Sequence, residues 1–234
     1  MIRWLLAAGM LAASVLLLGC ASEEQGVQPS SIPTSGAERT GSSVDCGSGE
    51  TVSTDDLAEI VLHSGDVTAD LRPFPTSAVV LDDLGDDDFK DTVEPSRYVG
   101  GLAAVFGSGE VLQGGRGHLL TSMVMVFTDV DAAAALLNHP SVGEPSVDRP
   151  VDTPTFGDAT DSRYVEVSMD DSKLAGHIIS FRVGHLVAYI ANLAADEDAP
   201  LDETERLARL VCERIRQRPT GTHPGIAGTG ARTP

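Results

Sequence analysis

The stretch LAGHIISFRVGHLVAYIANL, residues 174–193, decides the fold. Two apolar runs, 174–182 and His185–Leu193, flank Val183-Gly184. A two-residue connection with a glycine between such runs predicts an antiparallel hairpin. Just upstream, Tyr164, Glu166 and Ser168 alternate with Val165, Val167 and Met169, so a third strand precedes the hairpin. Downstream, Leu207, Leu210, Val211 and Ile215 form one stripe. They predict a helix over 202–217 with arginines on its other faces.

Towards the N-terminus, Leu119–Phe127 predicts another strand. Met123 and Met125 alternate with Val124 and Val126, so both faces are apolar, as in a central strand covered on both sides. The methionines read as core filling, with an adaptable ligand pocket as the alternative. Asp129 is placed to cap a helix over Val130–Asn138, whose alanine run has high propensity. Tyr98, Val99, Leu102, Val105 and Phe106 fit one helical face behind Pro95, so 96–106 is expected to be helical. Gly100-Gly101 opposes this by about 1 kcal/mol per glycine. Ala78–Leu81 predicts a short strand. Ser53-Thr54 with Asp55-Asp56 starts a helix over 55–63. His139–Pro154 reads as a proline-rich loop. This order predicts an α+β fold, a mostly antiparallel sheet packed with helices, as a single domain over 46–217.

The step MVMVFTDVDAA at 123–133 and the hairpin ISFRVGHLVA at 179–188, followed by the terminal helix, carry a resemblance. This layout resembles the small extracytoplasmic domains of actinobacterial lipoproteins of unknown function. It also resembles the extracellular sensor domain of mycobacterial PknH-type kinases. The resemblance implies a sensor-like domain outside the membrane. That sensor domain carries two disulfides, whereas this chain has cysteines for only one besides Cys20.

The N-terminus supplies an address. Arg3 precedes an apolar run from Trp4 to Leu18, broken only by Gly9 and Ser14. The run is short for a membrane span and has the layout of a secretory segment. Its end, Leu17-Leu18-Gly19-Cys20, resembles the bacterial lipobox, which implies cleavage before Cys20 and a diacylglycerol on its sulfur. Residues 1–19 are then a signal peptide, and Cys20 carries palmitate-type lipid that anchors the chain to the cell membrane, facing outside the cytoplasm. Two or more acyl chains, at about 0.8 kcal/mol per buried methylene, hold such an anchor stably. Residues 20–45 are polar and rich in Ser, Gly and Pro and read as a flexible tether. Residues 218–234 read as a disordered tail.

The chain has 35 acidic and 16 basic residues. Such a surface repels nucleic acid and anionic headgroups, so membrane contact is expected through the lipid alone. The preference for arginine over lysine suggests a GC-rich, actinobacterial genome. Of the three cysteines, Cys20 is assigned to the lipid. Cys46 and Cys212 remain as an even pair in an oxidising setting and read as a disulfide, the alternative being two buried free thiols.

Catalytic motifs are sparse. Gly107-Ser108-Gly109 lacks the spacing of a nucleophile elbow and reads as a turn. No phosphate loop or His-Glu-x-x-His pattern occurs, and no cofactor motif is found. His177 and His185 flank the hairpin too far apart to share a metal, and His118 starts a strand. The acidic run Asp82, Asp83, Asp86, Asp87, Asp88, Asp91 and Glu94 is the candidate for metal chemistry. Asp83, Asp87 and Glu94 match positions one, five and twelve of an EF-hand. Gly85 and Asp88 break the pattern, which leaves a looser calcium site or a solvated loop. The expectation is a non-enzymatic envelope lipoprotein binding a small ligand or a partner protein. The alternatives are an envelope enzyme using Asp87, His118 or His185, and a structural protein of the envelope.

Overall fold

In the computed structural model the hairpin is two long strands, and every neighbouring pairing in the main sheet is antiparallel. The structure describes residues 42–49, 52–80, 95–108, 117–137, 145–169, 172–195 and 199–218. Their strands are β1 (Ser43–Val44), β2 (Arg72–Pro73), β3 (Ser77–Val79), β4 (Tyr98–Gly107), β5 (His118–Phe127), β6 (Val147–Pro150), β7 (Thr155–Phe156), β8 (Ala159–Met169), β9 (Ser172–Val183) and β10 (Leu186–Ala194). The helices are α1 (Leu57–Ile60), α2 (Val130–Leu137) and α3 (Leu201–Arg216). The sheet runs β2-β4-β5-β10-β9-β8-β6, with β3 also on β4, while β1 and β7 form a separate parallel pair. This is an α+β fold with a mostly antiparallel sheet.

Strand alternation sorts the interior into two cores. On the first face, Leu120, Val124, Val126, Ile179, Phe181 and Ile190 pack with Leu207, Val211 and Ile215 of α3 and with Leu57 and Ile60 of α1. On the second face, Met123, Met125, Phe127, Ile178, Val187 and Tyr189 pack with Ala132, Ala133 and Leu136 of α2. The β5 strand is central and buried on both faces because both of its side-chain sets are apolar. Both sheet edges carry proline, Pro73 at one and Pro150 at the other, which blunts them against edge-to-edge pairing.

Residues 96–106, expected to be helical, form β4 instead. The period of Leu102, Val105 and Phe106 suits a helix. However, Ala103 and Val105 fill the second core while Ala104 and Phe106 fill the first, which only a strand allows. Gly101 is needed at a close approach. A Cβ there would lie 2.7 Å from the Tyr98 hydroxyl, which donates to the Val79 carbonyl at 2.6 Å. The hairpin turn is Gly184-His185, not Val183-Gly184, since Val183 pairs with Leu186. Gly184 has φ 58° and donates its N–H to Asp158 at 2.7 Å. A Cβ there would meet the Ser48 carbonyl at 2.4 Å, so the turn seats the incoming N-terminal segment.

The helix expected over 55–63 is a 3-10 turn, Thr54–Asp56, followed by α1. It stops early because its next groups have other partners. The Val61 carbonyl accepts from Arg214 at 2.8 Å, and the Leu62 N–H donates to the Ser122 hydroxyl at 3.2 Å. The loop expected over His139–Pro154 contains the edge strand β6. There Arg149 places its guanidinium 4.4 Å from the Tyr164 ring centre. At α2, Asp129 caps as expected, accepting from the Ala132 N–H at 3.0 Å. Hydrogen bonds from Arg97, then from Ala132 and Thr128, hold its carboxyl well below the ordinary range.

Burial raises the Tyr189 phenol well above its ordinary value near 10. The sign follows from linkage. The unfolded chain loses this proton near pH 10 and the folded chain does not. The stability involved is complete below pH 10 and falls as pH rises, by about 1.4 kcal/mol per unit. Urea unfolding at pH 9, 10 and 11 should show this slope in the wild type beyond that of Tyr189→Phe. Equal slopes would mean that the phenol ionises in the folded state.

Candidate functional site

The register aligns polar side chains in one row across the first face. Arg149 on β6 pairs with Tyr164 on β8, Tyr164 with His177 on β9, and His177 with Asn192 on β10. His118, at the start of β5, extends the row through a hydrogen bond from its Nε2 to Asn192 Oδ1. Along the row, the Tyr164 and His177 rings meet edge to face at 5.5 Å. The Tyr164 hydroxyl donates to Glu166 at 3.1 Å, and Glu166 is paired with Lys173. Lys173, the Tyr164 hydroxyl and Arg149 together hold the Glu166 carboxyl below its usual range.

The row ends under the first turn of α3. Asn192 Nδ2 donates to Thr204 Oγ1 at 3.2 Å, and Thr204 donates to the Pro200 carbonyl at 3.0 Å. His177 Nδ1 bonds the Ala199 carbonyl at 2.8 Å. Asn192 and Thr204 are fully buried, and each polar side-chain atom of the pair has a partner. Asn192 Oδ1 and the Ala199 carbonyl can only accept, so His118 donates from Nε2 and His177 from Nδ1. Two carboxylates lie in the electrostatic reach of His118. Glu203 is lowered chiefly by Arg206, and Asp70 chiefly by the Thr68 hydroxyl, with His118 a smaller contributor to both.

The residues singled out from sequence scatter. His118 stands at one end of β5. His185 lies in the β9–β10 turn at the other, where its carbonyl accepts from the Phe127 N–H. The ten-residue length of β5 separates them by about 30 Å. His177 and His185 lie eight residues apart along the hairpin and do not meet. Cys46 and Cys212 are joined as a disulfide and are both fully buried. Cys20 and the acidic run containing Asp83, Asp87 and Glu94 lie outside the described residues. Among the described residues no cluster of three or more His, Cys, Asp or Glu side chains has metal-binding geometry. None of the described helices is long and apolar enough to cross a membrane. Sequence reasoning missed Asn192 and Thr204. The available signal was an amide inside the apolar run AYIANLA, which has to find a partner once buried.

No family model matches this chain, and no curated protein matches it. Among solved structures it is similar to the extracellular domain of PknH from Mycobacterium tuberculosis. That likeness covers 71% of this chain and 98% of the other, at 11% identity and a TM-score of 0.48.

Proposed function

We propose that this chain is a lipid-anchored protein of the cell envelope. Its single α+β domain, residues 46–217, binds a small ligand or a partner protein outside the cytoplasm and catalyses no reaction. The observation that carries the reading is the buried disulfide. It closes a separation of 166 residues between Cys46 and Cys212, and such bonds belong to oxidising compartments. The leader ending at Cys20 supplies the matching route, with residues 20–45 as tether. The membrane is met through the lipid on Cys20, and the acidic surface disfavours nucleic acid. The polar row supports binding over catalysis, because its side chains are spent on one another.

Cells grown with labelled palmitate should label the wild-type chain, while Cys20→Ala stays uncleaved and unlabelled. A wild-type chain that takes up no palmitate overturns the anchor. Binding is tested separately by native mass spectrometry beside a hydrolase panel. Turnover that is lost on His118→Ala would replace this reading with the envelope enzyme.

A further inference from the structure

We draw no further inference here: the strongest candidate, the exposed apolar surface patch of Val80, Val99 and Val130 beside the start of β4, carries nothing because nothing in the structure shows what covers it.

Discussion

Replacing Cys46 and Cys212 together by alanine should lower the unfolding free energy by about 5 kcal/mol. The bond spans 166 residues and so removes much of the entropy of the unfolded chain. It also acts locally. Cys46 follows β1, which lies parallel to β7, and Cys212 belongs to the buried stripe of α3. The bond thus holds the entry strand against the final helix while the Gly184 turn seats Ser48. At a slope of about 2 kcal/mol per molar in urea, the midpoint should fall by about 2 M with the slope preserved. Adding reductant to the wild type should produce a similar fall once unfolding exposes the buried sulfurs. A midpoint that moves by less than about 0.5 M would show that packing alone secures the N-terminal segment.

Where one pattern ran unbroken, the sequence was legible. The β9–β10 hairpin, β5 and α3 each keep their period for at least nine residues, and each is found within a residue or two of its expected bounds. The failures have physical causes. In β4, small residues and glycines leave apolar spacing compatible with either period, and the decision rests with two cores that the local sequence does not contain. In β6, Asp148, Arg149 and Pro150 look like loop because an edge strand needs only half its backbone paired. The candidate site was less legible than the fold. His118 and Asn192 are 74 residues apart, and only the β5–β10 register brings them together.

Phe181→Ala should cost about 3–5 kcal/mol, the range for emptying a fully buried aromatic site. Phe181 has no exposed surface and lies at the centre of the first core. Its ring stands 5.5 Å from that of Phe156, which is itself fully buried and has Arg209 5.6 Å from its ring centre. Phe156 belongs to β7, the strand that pairs with β1. The cavity would therefore open beneath the strand pair that carries the chain into Cys46. Two consequences separate this account from generic loss of hydrophobic surface. Hydrogen exchange in β1 and β7 should speed up more than in β8, whose pairing with β9 extends over eleven residues. The double variant with Phe156→Ala should lose less than the sum of the single losses, because the two rings share one contact and one cavity. Strict additivity in urea unfolding would mean that the rings contribute independently and that Phe181 does not support the entry strand. Phe181→Leu keeps most of the volume, and its cost should fall below about 1.5 kcal/mol.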